Sequence, residues 1–96
     1  MLTWVMYDIC KTKARNKVVK ACEKIGIYRV QYSVWLGDIN KTQRKELSCQ
    51  ILELIDKDTD RVYIFPMCRE DFDLCELLGQ AFDKELICDE LKAMLL

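Results

Sequence analysis

The sequence contains no histidine, a single proline and three glycines among its 96 residues. Without histidine the chain lacks the commonest general base, and without a CxxC pair it also lacks the usual zinc-binding spacings. Any hydrolytic chemistry would therefore have to use carboxylates, tyrosine, lysine or a water molecule activated by a metal ion.

Long apolar runs are also absent, since none approaches the roughly 20 residues that cross a membrane. The first residues, Met1 to Trp4, contain no basic segment leading into an apolar stretch, as a secretion signal would. Six cysteines would indicate disulfide bonds in a secreted protein, but no export signal accompanies them. We therefore predict a cytoplasmic protein whose cysteines are reduced and mostly serve as small core residues. They are Cys10, Cys22, Cys49, Cys68, Cys75 and Cys88.

Length and composition fit one globular domain over residues 1–96, with 51% apolar and 32% charged residues. The net charge of −1 conceals an asymmetry. Residues 1–45 carry ten Lys or Arg against three acids, a net +7, whereas residues 46–96 carry five against thirteen, a net −8. This layout predicts one surface for phosphates and another for a differently charged partner, although ordinary solvated charge explains it equally well.

The N-terminal third predicts a strand followed by a helix. Leu2 to Ile9 is apolar, aromatic and β-branched apart from Asp8, which predicts a buried strand ending at that carboxylate. Thr12 is the candidate N-cap of the next helix, and Gly26 closes it. The apolar stripe of this helix is Ala14, Val18, Ala21, Cys22 and Ile25.

The segment from Ile27 to Gly37 alternates with the period of a β-strand, as one bent strand or two short ones. One side is apolar and the other can form hydrogen bonds. The apolar side is Tyr28, Val30, Tyr32, Val34 and Leu36, and the other is Arg29, Gln31, Ser33 and Trp35.

A second helix is predicted after Asn40, which forms a weak capping box with Gln43. Arg61 to Phe65 reads as a strand stopped by Pro66. Phe72 to Leu78 and Glu85 to Cys88 are candidate short strands, with Leu91, Met94 and Leu95 extending a strand or starting a helical turn. The apolar stripe of the second helix is Leu47, Ile51, Leu54 and Ile55.

This order of elements predicts an α+β fold, a ferredoxin-like βαββαβ sandwich with an extra C-terminal strand. Both helices would cover one face of the sheet. The opposite face would need cover from elsewhere, for which a homodimer is the expected source.

Asp8 is the candidate metal ligand. It ends an apolar strand, where its desolvation must be offset by a cation, a cap or water. Mg²⁺ prefers oxygen ligands and needs only one or two carboxylates, so two copies of Asp8 brought together by a two-fold axis could share one ion. Alternatively, Asp8 caps the following helix or starts a turn.

The first helix carries a row of ammonium groups suited to a regular phosphate backbone, or to simple solvation. Arg15 lies on another flank of this helix, nearer the apolar side. Arg29 beside Trp35 could contact a phosphate and a base, although Trp35 fits dimer-interface packing as well. The lysine row is Lys13, Lys17, Lys20 and Lys24.

Several of these motifs together resemble a known family. Tyr7-Asp8-Ile9, then Arg15, then Gly26-Ile27-Tyr28-Arg29-Val30-Gln31-Tyr32-Ser33-Val34-Trp35 and Gly37-Asp38 follow in order and at the right spacing. Over its first two-thirds the chain is similar to the smaller of the two core CRISPR spacer-acquisition proteins. The overall length fits as well.

The resemblance implies a ferredoxin-like homodimer in which the C-terminal strand of one chain often joins the partner's sheet. It also implies that the dimer bridges integrase subunits and holds duplex DNA, the prespacer. In that family the aspartate matching Asp8 binds Mg²⁺, and some members cleave single-stranded RNA or double-stranded DNA. Tyr7, Arg15, Arg29 and Trp35 match positions tied to this nuclease activity.

The chain departs from the family pattern at two positions. Lys17 stands where arginine is frequent, which loses bidentate reach, and Trp35 stands where phenylalanine is usual. Two functions are therefore carried forward. One is a metal-dependent endonuclease that works through Asp8, and the other is a non-catalytic nucleic-acid-binding scaffold in which Asp8 is only structural.

Overall fold

The computed structural model of the chain describes residues 1–79, and no helix in this range is long and apolar enough to cross a membrane. Strands and helices alternate in the predicted order. The elements are β1 (Leu2–Asp8), α1 (Thr12–Ile25), β2 (Tyr28–Gln31), β3 (Val34–Asp38), α2 (Lys41–Leu54), β4 (Arg61–Met67) and α3 (Arg69–Leu74).

The strands form one antiparallel sheet with the order β2-β3-β1-β4. The first strand is therefore central, with Val5 between Trp35 of β3 and Ile64 of β4. The alternating segment after α1 is two strands, whose register shifts between Arg29 and Gln31. This is the predicted ferredoxin-like arrangement.

Helices α1 and α2 pack against the same sheet face, and the predicted apolar stripes supply their contacts. Gly26 ends α1 in a left-handed conformation with φ 89°, and its N–H donates to the carbonyls of Cys22 and Glu23. The capping box of α2 is confirmed, because the Asn40 side chain accepts from the Gln43 N–H at 2.8 Å and the Gln43 side chain accepts from the Asn40 N–H at 2.9 Å. The Thr12 prediction is wrong by one residue, since Lys11 is the N-cap and Thr12 begins the helix.

The opposite sheet face carries a second apolar cluster, which is centred on Trp4, Leu36 and Phe72. Phe72 was expected in a strand, but it is fully buried in the short helix α3. Two local features favour this helix. The Cys68 sulfur accepts from the Asp71 N–H at 3.4 Å, and the acidic first turn complements the helix dipole. Helix α3 therefore supplies some of the cover that was expected from a second copy.

Pro66 does not stop β4, which continues to Met67 with Pro66 opposite Thr3. This is possible because β4 is an edge strand, where the missing N–H of proline is tolerated. The predicted strand at Glu85–Cys88, and with it the extra C-terminal strand, lies outside the described residues.

Among residues 1–79 no two cysteines form a disulfide with each other, and the expectation that most cysteines are core residues is wrong for these five. Cys22 alone among these five is buried, and burial raises the pKa of its thiol to about 12 against an opposing effect of the Arg29 charge. Cys75 is half-buried. The exposed ones are Cys10, Cys49 and Cys68.

Candidate metal and nucleic-acid site

Asp8 is the last residue of β1, and its side chain is exposed at the end of the sheet. It lies directly across the ladder from Arg61, the first residue of β4. Within residues 1–79 its carboxylate makes no hydrogen bond or ion pair. The Asp8 carboxylate is therefore not desolvated as expected. It does not cap α1 either, because the N-cap of this helix is Lys11 and no side chain caps it.

Asp60 fixes the loop that follows Asp8, a role that the sequence did not reveal. Its Oδ1 accepts from the Cys10 N–H at 3.0 Å and from the Thr59 hydroxyl at 3.2 Å, while Oδ2 accepts from the Asp56 N–H at 2.9 Å. The hydrogen bonds from the backbone N–H groups of Cys10 and Asp56 hold the pKa of Asp60 below its ordinary value of 3.8. The loop between β1 and α1 is thus attached to the loop between α2 and β4.

Tyr7 and Trp35 meet in the interior. Trp35 is 2% exposed and donates from Nε1 to the Tyr7 hydroxyl at 3.1 Å. Both side chains belong to the core beneath α1 and α2. Trp35 was predicted on a sheet face open to hydrogen bonding or to dimer contact. That prediction is wrong, because helices α1 and α2 cover this face.

Arg29 closes the turn between β2 and β3. Its Nε and Nη2 both donate to the Tyr32 carbonyl, at 3.0 and 2.8 Å. The guanidinium carbon lies 5.0 Å from the centre of the Tyr32 ring and 5.6 Å from that of Trp35. Two of its five N–H donors are therefore occupied, and the rest of this exposed group is open to an anion.

Helix α1 presents the lysine row as predicted, with all four side chains exposed. Arg15 is half-buried on another flank, where its Nη2 donates to the Thr12 hydroxyl at 3.0 Å. Arg15 is thus held in the first turn of α1, close in sequence to the loop that leaves β1.

A second basic group was missed by the sequence analysis. Lys41, Arg44 and Lys45 lie in the first half of α2 and line a cavity of about 520 Å³ that also borders Ser48, Ile64 and Pro66. Arg44 donates from Nη1 to the Ile39 carbonyl at 3.0 Å, so it also fixes the start of the helix. The Lys-x-x-Arg-Lys spacing is the signal that could have indicated it.

The sheet order, the helices on one face and the carboxylate at the end of the first strand define a small α+β protein of the ferredoxin-like class. The first 74 residues match the family model described as CRISPR associated protein Cas2. The chain belongs to this family, and its CRISPR-associated role follows from that membership.

Curated relatives agree with this assignment. The CRISPR-associated endoribonuclease Cas2 of Desulforudis audaxviator is 37% identical over 78 residues, which cover 81% of this chain and 74% of that protein. One from Methanospirillum hungatei is 32% identical and covers 83% and 84% of the two chains. The crystal structure of Streptococcus pyogenes Cas2 superposes with a TM-score of 0.70 at 25% identity, covering 82% of this chain and 100% of the other.

Proposed function

We propose that this Cas2-family chain binds duplex DNA and bridges integrase subunits during spacer acquisition. The observation that carries this proposal is the exposed lysine row of α1. Its first and last members are eleven positions apart, which at 1.5 Å per residue is about 16 Å along the helix. No lysine of the row is neutralised by an ion pair in the described part of the chain, so the charge is available to release counterions from phosphates.

The protein partners are proposed from charge and exposed apolar surface. The net −8 of residues 46–96 supports a partner of different charge, such as the integrase. Tyr63, Leu74 and Leu78 are 58%, 79% and 80% exposed, which supports contact with a second copy. We expect a homodimer at micromolar concentration, and sedimentation showing a stable monomer would contradict it. Deletion from Leu86 onward should weaken the dimer.

A second candidate function is Mg²⁺-dependent endonuclease activity on single-stranded RNA or double-stranded DNA, with Asp8 as the metal ligand. The exposed carboxylate fits this ion, which keeps several of its own waters. Within residues 1–79 Asp8 is the one carboxylate proposed as a ligand, and no three metal-binding side chains cluster there. The proposal therefore requires Asp8 from both chains of a dimer, and this makes dimerisation part of the site.

In such a site the bound ion would supply the activation of water and stabilisation of charge on the phosphate. The chain itself supplies positioning and positive charge. Arg15 and the open donors of Arg29 would bind phosphate oxygens. Tyr7 and Trp35 would hold the end of β1, because both side chains are buried.

Asp8→Asn separates the two functions. The amide keeps the shape but removes the anionic ligand, so Mg²⁺-dependent cleavage of single-stranded RNA and duplex DNA should be lost while duplex binding persists. Asp58→Asn is the matched control, because it neutralises another exposed carboxylate. Loss of cleavage with integration intact would make the metal site incidental to the bridging role. Undiminished cleavage would refute the assignment of Asp8, because the activity would then come from a contaminant or from other residues.

A further inference from the structure

The turn between β2 and β3 holds the Arg29 guanidinium through two kinds of contact with one residue. Its Nε and Nη2 donate to the Tyr32 carbonyl at 3.0 and 2.8 Å, and its central carbon lies 5.0 Å from the centre of the Tyr32 ring. The Trp35 ring is a second aromatic neighbour, at 5.6 Å. All of these partners belong to the hairpin that contains Arg29, so the hairpin itself orients the charged group.

These contacts leave one edge of the guanidinium free. A guanidinium carries five N–H donors in a planar fork, and the Tyr32 carbonyl takes one from Nε and one from Nη2. Arg29 forms no ion pair within residues 1–79. The edge formed by Nη1 and Nη2 therefore keeps one N–H from each nitrogen, which is the pairing that binds two oxygens of a phosphate.

Arg29 lies on a different side of the sheet from the surface assigned to the second copy. It is opposite Trp35 in the ladder, and Trp35 packs in the core beneath α1 and α2. Directly opposite residues of an antiparallel pair project to one face, so Arg29 belongs to the helix side of the edge strand β2. Its neighbour Val30 packs in the opposite cluster. Tyr32, in the turn, is 79% exposed, which leaves space for a ligand beside the pair.

The same turn attaches Arg29 to the end of β1. The residue after Tyr32 is Ser33, whose carbonyl accepts from the Tyr7 N–H at 3.1 Å. Tyr7 directly precedes Asp8, the proposed metal ligand. The guanidinium is therefore held in a fixed relation to the end of the first strand.

We propose that Tyr32 is a positioning residue for Arg29, whose free edge receives a phosphate of the bound nucleic acid. The inference rests on the proposed function, which assigns Arg29 to phosphate binding, and it adds the residue that orders this arginine. A side chain that is ordered before binding loses less conformational entropy when the phosphate arrives. Removal of the Tyr32 ring should therefore weaken binding although no charge is removed.

Fluorescence anisotropy with a labelled duplex DNA oligonucleotide in metal-free buffer tests the proposal. Tyr32→Leu keeps the carbonyl and the apolar bulk but removes the ring, and it should weaken binding about two- to fivefold, as expected for an exposed cation–π contact. The slope of log K against log salt should not change, because Arg29 keeps its charge. Arg29→Gln should lower that slope by about 0.9, the contribution of one phosphate contact. Tyr32→Phe, which keeps the ring, should bind like the unmodified chain.

A variant that combines Tyr32→Leu with Arg29→Gln distinguishes positioning from direct contact. If Tyr32 acts only through Arg29, this variant should bind no more weakly than Arg29→Gln alone. Additive losses would overturn the proposal, because Tyr32 would then contact the nucleic acid itself. Unweakened binding by either single variant would overturn it as well.

Leu52→Ala is the control for the loss of an exposed apolar side chain, and it should bind normally. Urea unfolding of Tyr32→Leu should match that of the unmodified chain, since the side chain is exposed. If the unmodified chain does not bind the duplex, the proposed function itself fails, a result that is distinct from a failure of Tyr32 alone.

Discussion

The Trp35 indole donates its Nε1 hydrogen to the Tyr7 hydroxyl at 3.1 Å, between the sheet and the helices. The Tyr7 backbone N–H also donates to the Ser33 carbonyl at 3.1 Å. Both bonds attach the end of β1 to the segment around the start of β3. Since Tyr7 directly precedes Asp8, the position of the exposed carboxylate is set by contacts in the interior.

Tyr7→Phe should therefore destabilise the protein. The change leaves the buried Trp35 Nε1 without an acceptor, which costs about 1–3 kcal/mol. Urea unfolding measures the loss, with Tyr63→Phe as the control because that hydroxyl is on an exposed side chain. If Tyr7→Phe abolished cleavage without lowering the free energy of unfolding, the hydroxyl would act on the substrate directly.

Duplex binding should depend steeply on salt through the lysine row. Each phosphate contact contributes about 0.9 to the slope of log K against log salt, so replacing all four lysines with Gln should flatten the slope by up to about 3.6. Titrations of one duplex at several salt concentrations give the slope. The lysines replaced in this variant are Lys13, Lys17, Lys20 and Lys24.

The control for this experiment removes charge elsewhere, with Lys41, Lys45 and Lys57 changed to Gln. A flatter slope in the control alone would place the duplex over the basic start of α2. An unchanged slope in both variants would indicate Arg15 and Arg29 as the main contacts.

Asp60→Asn should release the loop after Asp8. The amide cannot accept hydrogen bonds through both of its terminal atoms, so at least one attachment to Cys10 or Asp56 is lost. We expect weaker Mg²⁺-dependent cleavage with unchanged duplex binding. Asp58→Asn is the matched control, because Asp58 contributes only its backbone N–H to this turn.

The stabilising effect of Asp60 should also depend on pH. Its folded pKa lies below the ordinary value of 3.8, so its contribution is fully present above that value and disappears as the pH falls through the folded pKa. Thermal unfolding of the unmodified chain and of Asp60→Asn should thus differ at neutral pH and converge in strong acid. A constant difference at all pH values would contradict this role.

Gly37→Ala should destabilise the sheet. A Cβ at this position would lie 2.7 Å from Ile27 Cβ and 2.9 Å from Ile27 Cα, and backbone cannot give way as a side-chain tip can. Overpacking of this kind costs about 1–3 kcal/mol. Chemical unfolding should show this loss, whereas Ser48→Ala, on an exposed part of α2, should show little. An unaffected Gly37→Ala would mean that the segment around Ile27 adjusts.

Local signals predicted local structure well. The stripe of α1 and the capping box of Asn40 and Gln43 depend on residues three or four apart, and both are found as expected. The alternation after α1 also separated Tyr28 and Leu36, which face the cluster of Trp4, from Trp35 in the other core. It was wrong at Gln31, because the register shift places this residue opposite Val34 of the other predicted side.

The misses depend on contacts that are distant in sequence. Both faces of this sheet are packed. The alternation of side chains along β2 and β3 therefore could not show that the helices cover the side that contains Trp35. Phe72 reads as a strand residue in isolation, but its burial against Trp4 selects a helix there. The bond between Cys10 and Asp60 joins residues 50 apart, which no periodic pattern can indicate. For the site, the sequence supplied Asp8 and the lysine row but not the neighbours of Asp8.

The central position of β1 has a consequence for synthesis on the ribosome. The first strand to emerge has no neighbour until β3 follows, and its other edge waits for β4 near the end of the described region. Pairing between strands that are distant in sequence loses the entropy of loop closure before any contact between the strands can offset the loss. A nascent chain halted before Asp60 would leave the loop after Asp8 unanchored and one edge of β1 unpaired. Truncated translation products should therefore be prone to aggregation and unable to form the proposed metal site.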